Sequence, residues 1–187
     1  MRYSMPCLLP TPIQAYQREL VDLIAERFGL GFTQRQAIPA HFTLKYHFTT
    51  PEIGQPAIGQ LEALLEDFVR RHRRTPITVG GFGHFLEDVV FVDVALSAAA
   101  RRAFQALVST LRALPWMSWD QFDGENLRPH MTIAERCRPR FAEVWEFLEP
   151  RERRFTAWFD NITILEKVGE TDGMDLWAVH RSFGLEA

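Results

Sequence analysis

Two short stretches of the chain carry residue types from which phosphate chemistry can be built. His41-Phe42-Thr43-Leu44 and His130-Met131-Thr132-Ile133 share one pattern: imidazole, apolar side chain, hydroxyl, apolar side chain. On a strand, positions i and i+2 project from the same face. Each stretch therefore aims an imidazole and a hydroxyl together, while its apolar pair anchors the strand to a core. Two such strands facing each other bring two imidazoles and two hydroxyls to one point. Imidazole holds both protonation states near neutral pH. One neutral ring can deprotonate a nucleophile while one protonated ring gives a proton to a leaving oxygen. Thr hydroxyls can donate to the non-bridging oxygens of a phosphoryl group as charge builds there. The set suits a phosphodiester, and the scheme demands no metal or other cofactor.

Context selects these two stretches. Four of the six histidines, His41, His47, His130 and His180, have Ser or Thr two residues on. His47 runs towards Pro51, which ends ladder pairing, and His180 is followed by the charged Arg181. Only His41 and His130 have apolar residues in both flanking positions. If strand alternation continues, Lys45 and Arg136 fall on the His/Thr side, as does Arg128, two residues ahead of His130. Each of these three could neutralise a phosphate or be a solvated strand end. Phe82, Phe85, Trp116 and Trp119 could stack a nucleobase or pack in a core. His47 and His84 add no zinc-ligand spacing to His41. The basic run Arg70-Arg71-His72-Arg73-Arg74 reads as a solvated helix end favoured by the helix dipole, and nothing lowers the pKa of Cys137 to make it a nucleophile.

The elements that must position these residues are legible in outline. Thr11 reads as an N-cap with Pro12 and Gln14 behind it, opening a helix whose apolar stripe is Ile13, Tyr16, Leu20, Leu23, Ile24 and Phe28, ended by Gly29 or Gly31. A strand covers His41 to Phe48, with Phe42, Leu44, Tyr46 and Phe48 on one face. A helix over Pro56 to Arg71 follows, then strands at Ile77–Phe82 and Val89–Leu96 joined by a Gly-rich loop. Ser97 caps a helix running to about Leu114. His130 to Ala134 is a short strand, Pro139 opens another helix, and Phe155–Glu166 and Leu176–Phe183 close as strands. Both halves thus read helix, His-bearing strand, helix, strand, strand. This order implies a single α+β domain of two pseudo-two-fold lobes, about residues 1–96 and 97–187, with antiparallel sheets flanking a cleft.

The composition fits such a domain. The 187 residues are 47% hydrophobic and 24% charged, which excludes disordered and low-complexity classes. No apolar run reaches the ~18–20 residues of a membrane helix. No secretory signal is read at the start, and two cysteines give no disulfide framework, so a cytoplasmic setting is expected. A net charge of −3 argues against a broad basic surface wrapped on duplex nucleic acid.

Pro39-Ala40-His41-Phe42-Thr43-Leu44-Lys45-Tyr46 and Arg128-Pro129-His130-Met131-Thr132-Ile133-Ala134-Glu135-Arg136 resemble the paired motifs of the two-histidine phosphoesterase superfamily, nearest its 2′-5′ RNA ligase-like branch. The segment Gly80 to Phe85 followed by Val89 to Val94 is similar to the region between the motifs. The resemblance implies a bilobal α+β fold and metal-independent general acid/base chemistry on 2′,3′-cyclic phosphate ends or 2′-5′ linkages of RNA or nucleotides. It places the catalytic pair on His41 and His130 and the phosphate contacts on Thr43 and Thr132. Relatives commonly carry Arg directly after the Ala of the second motif, where this chain has Glu135 and then Arg136. The family also contains members that only bind nucleotides, so a non-catalytic nucleotide- or RNA-binding module is the alternative. Nothing in the sequence asks for a membrane or an obligatory protein partner.

Overall fold

The structure is a computed structural model and describes residues 1–51 and 56–187. In chain order the elements are β1 (Arg2–Leu8), α1 (Thr11–Phe28), α2 (Phe32–Gln36), β2 (His41–Thr49), α3 (Pro56–Arg71), β3 (Thr75–Phe85), β4 (Val89–Leu96), α4 (Ala98–Leu111), β5 (His130–Glu135), α5 (Phe141–Leu148), β6 (Phe155–Phe159), β7 (Asn161–Thr171) and β8 (Met174–Gly184). The strands form two four-stranded antiparallel sheets, ordered β2-β1-β7-β8 and β5-β4-β3-β6. Each His-bearing strand is an edge: β2 pairs with β1 and β5 pairs with β4, and the two edges face each other between the sheets. The α+β architecture of antiparallel sheets flanking a cleft is the one the sequence order implies.

The lobes do not follow the sequence halves. Each sheet takes two strands from before Leu96 and two from after it. The duplicated unit is strand, helix, antiparallel His-bearing strand: β1-α1-β2 in one sheet and β4-α4-β5 in the other. The expected Phe155–Glu166 strand is the crossing point. It breaks at Asp160 into β6, which pairs with β3, and β7, which pairs with β1.

Local chemistry explains most elements. In α1, Ile13, Tyr16, Leu20, Val21, Ile24 and Phe28 are buried, and Gly29 ends the helix at φ 72°. The start differs from the expected cap. Pro10 is the N-cap, Thr11 is already helical, and Gln14 Nε2 donates to the Leu9 carbonyl at 2.8 Å. Ser97 does cap α4, accepting from the Ala100 amide at 3.1 Å. The loop expected after Phe82 starts later, since β3 runs on through Gly83 to Phe85, and Gly81 at φ 83° sits in a bulge opposite β4. Strand β1 has no counterpart in the sequence reading. Pro6, which cannot donate to a ladder, conceals it; it sits opposite Thr43 beside a register shift.

One core runs through both sheets, built from Met5, Phe42, Leu65, Phe68, Val92, Leu107, Met131 and Ile164 among others. Helix α4 packs on β3 and β4, α3 on β8, and α1 on α2 and β5. No helix among the described residues is long and apolar enough to cross a membrane.

Candidate active site

The cleft face is set by a bulge that recurs in both edge strands. In β2, Thr43 lies opposite Pro6 and Lys45 opposite Met5, which leaves Leu44 as the extra residue. In β5, Thr132 lies opposite Phe91 and Ala134 opposite Val90, which leaves Ile133 extra. Before the bulge the strands alternate, so His41 with Thr43 and His130 with Thr132 share the cleft face, and Phe42, Leu44, Met131 and Ile133 are buried. After it the parity changes. Lys45 and Ala134 turn into the core, and Tyr46 and Glu135 emerge beside the His/Thr pairs.

The two imidazoles are held in the same way. His41 Nδ1 lies 2.7 Å from the Pro39 carbonyl, and His130 Nδ1 lies 2.7 Å from the Arg128 carbonyl. A carbonyl can only accept, so both Nδ1 atoms carry hydrogen and each neutral ring keeps its lone pair on Nε2. Burial pushes both pKa values below the ordinary value of 6.5; the carbonyl bonds oppose this, and the charge of His130 lowers His41 further. That influence of His130 on His41 follows from two edge strands set face to face.

The wall around His130 is aromatic. Its ring meets Phe85 edge-on at 5.0 Å and Phe91 at 4.9 Å. Gly83 must be bare, because a Cβ there would come within 2.6 Å of Phe91 Cζ. Arg128 spreads over Phe91 and Phe85 at 4.8 and 5.7 Å, and its Nη2 donates to Asp93 Oδ1 at 2.9 Å. Its guanidinium is half exposed, and its charge is felt at His130. The Thr43 and Thr132 side chains are half-buried, and neither hydroxyl has a protein partner among the described residues. Gln17 Nε2 of α1 donates to the Thr132 carbonyl at 3.0 Å and steadies the free edge of β5.

Two expected phosphate contacts are elsewhere. Lys45 is fully buried; its Nζ donates to Asp123 Oδ2 at 2.6 Å, and Asp123 also accepts from the Tyr46 and Asp120 amides. The bulge at Leu44 is the cause: it turns Lys45 away from the cleft. Arg136 lies beyond β5 at φ 62°, and its guanidinium sits 3.9 Å over Phe32 rather than on the His/Thr face.

The remaining candidates divide similarly. Trp119 lies between the cations of Lys45 and Arg112, and Trp116 donates to Gln60, so both pack a loop rather than offer a free face. His84 is exposed against Phe141 and Trp145. His47 stacks between Tyr46 and Trp177 at 4.4 and 4.9 Å, and burial with the Arg2 charge lowers it to about 4. Burial raises the Cys137 thiol to about 11, so it is no nucleophile. The basic run ends α3 in solvent, with Arg70 and Arg71 paired to Asp67. The sequence reading missed Tyr46, Glu135, Phe91, Asp93 and Gln17. The first two need knowledge of the bulge, and the others carry only an apolar or polar residue in an ordinary place.

Two facing edge strands, each carrying an anchored imidazole and a hydroxyl, define the class of two-histidine phosphoesterases. The family model described as the 2′-5′ RNA ligase superfamily matches residues 10–171, and the chain belongs to that superfamily. No curated protein matches it by sequence. Among solved structures, TT0787 of Thermus thermophilus is similar at TM-score 0.63 and 18% identity, over 99% of this chain and 98% of that one. E. coli LigT, complexed with 3′-AMP, is similar at TM-score 0.62 and 13% identity, over 98% and 97%. A structure described as a phosphoesterase gives TM-score 0.60 at 15% identity, over 100% and 98%. These likenesses are of fold.

Proposed function

We propose that the cleft hydrolyses, or reversibly forms, a phosphodiester at a ribose 2′ position, with 2′,3′-cyclic phosphate ends as the favoured substrate and 2′-5′ linkages as the second. The observation that carries this reading is the matched anchoring of the two rings, each with Nδ1 on a carbonyl two residues back and Nε2 left free. In hydrolysis, Nε2 of one neutral ring takes a proton from the attacking water. The other ring, protonated, gives its Nε2 proton to the departing ribose oxygen, and a phosphate monoester results. Thr43 and Thr132 donate to the non-bridging oxygens, and the Arg128 guanidinium adds positive charge beside His130.

Burial holds both rings below their ordinary pKa, which favours two neutral imidazoles. An anionic phosphoryl group between them favours a proton on one ring. Substrate binding thereby charges the acid, and this chemistry needs protein groups alone. E. coli LigT, which shares the fold, is complexed with 3′-AMP, and that supports a nucleotide in this cleft.

The test is a panel of nucleoside 2′,3′-cyclic phosphates, 2′-5′ dinucleotides and cyclic-phosphate-ended RNA, assayed in EDTA with wild type, His41→Ala and His130→Ala. Turnover of at least one substrate is expected, lost in both variants. Nucleotide binding with no product from any substrate would select the non-catalytic module instead.

A further inference from the structure

The bulge after each Thr delivers one more side chain to the cleft from each strand, and the proposed reaction uses neither. Tyr46 and Glu135 occupy the same place, five residues after His41 and His130, and the charge of Glu135 is felt at the Tyr46 phenol across the gap between β2 and β5. Glu135 is half-buried, and among the described residues its carboxylate has no hydrogen-bond or ion-pair partner. The charged and titratable groups around it are Tyr46 on β2, Asp88 in the turn between β3 and β4, Arg136, and the buried Cys137 thiol just after β5. Arg136 follows it directly, yet lays its guanidinium on Phe32. A carboxylate that feels the Arg136 charge but has no ion-pair contact among the described residues therefore stands three residues along the strand from a hydroxyl assigned to phosphate.

A carboxylate in that place penalises negative charge in the ligand, and the penalty grows with each added charge. A phosphodiester or cyclic phosphate carries one charge. A phosphate monoester carries nearly two above its second pKa of about 6. We propose that Glu135 makes this cleft selective for singly charged phosphodiesters over doubly charged phosphate monoesters, and so limits inhibition by its own product. The proposal rests on the phosphodiester reading above.

The experiment is calorimetric titration at pH 8 in a His41→Ala background, so that substrate is not consumed. The two probes are a nucleoside 2′,3′-cyclic phosphate and the corresponding 2′-monophosphate. Glu135→Gln is expected to tighten the monophosphate by ~5-fold or more and to leave the cyclic phosphate within ~2-fold, the size of one charge–charge interaction in a partly wet cleft. Glu135→Asp, which keeps the charge, is expected to retain the parent's preference; thermal melting shows that each variant is folded. Equal shifts for both ligands, no shift for either, or an Asp variant that behaves like Gln overturns the role of Glu135 alone. If neither ligand binds even with Glu135 intact, the phosphodiester reading falls and this proposal with it.

Discussion

At the residue scale, two imidazole rings are fixed by one backbone carbonyl each. Replacing His41 or His130 by Ala is expected to lower kcat by at least ~10²-fold, the size of one lost proton transfer. Thr43→Val and Thr132→Val are expected to cost about tenfold or more, as for a missing donor at a developing negative charge. Steady-state rates on a cyclic phosphate measure both. The pH dependence has a definite sign. The base works once neutral, so kcat/KM rises as pH climbs through its pKa. The acid works while protonated, so kcat/KM falls as pH climbs through the other. Both values lie below 6.5 in the free protein, so the bell of kcat/KM is centred on the acid side of about 6.5. A maximum above about pH 7.5 contradicts the buried environment described for the pair.

At the scale of elements, the bulged edge strands and their supports place those rings. Asp123→Ala would leave the buried Lys45 ammonium unpaired and the Tyr46 and Asp120 amides without their acceptor. Losing one partner of a buried ion pair costs about 3–5 kcal/mol, which denaturant unfolding reads directly. Gly83→Ala would drive a methyl group into the Phe91 ring that backs His130. It is expected to reduce both activity and melting temperature, whereas Gly173→Ala, at a turn with open space around it, should affect stability alone.

These same supports show what sequence could and could not reveal. The His-x-Thr pairs are legible because i and i+2 share a face on any strand. Lys45 misleads because a bulge is fixed by the partner strand, and no residue of β2 announces it. Strand β1 is hidden by Pro6, and the break at Asp160 by an unbroken apolar pattern on both sides. Helices α1 and α4 are legible because an apolar stripe and a terminal glycine or cap are local features, and α3 by its apolar stripe.

At the scale of the whole molecule, the pseudo-two-fold cleft is built by exchange. Neither sequence half contains a complete sheet, since β7 and β8 join β1 and β2 while β5 and β6 join β3 and β4. Fragments 1–96 and 97–187, expressed separately, are therefore expected to lack cooperative unfolding by circular dichroism, each having lost half the strands of every sheet. The order of elements in the sequence shows the duplication but not this exchange, because pairing between distant strands leaves no mark on local pattern.

The most direct test of the central claim is nuclear magnetic resonance of the imidazole nitrogens during titration with a nucleoside 2′-monophosphate. The account predicts that His41 and His130 both carry hydrogen on Nδ1 in the free protein. It also predicts that the Nε2 signals of both rings shift together along one binding curve with one Kd, because one phosphorus lies between them. Response of a single ring, or two curves with different Kd values, would contradict it.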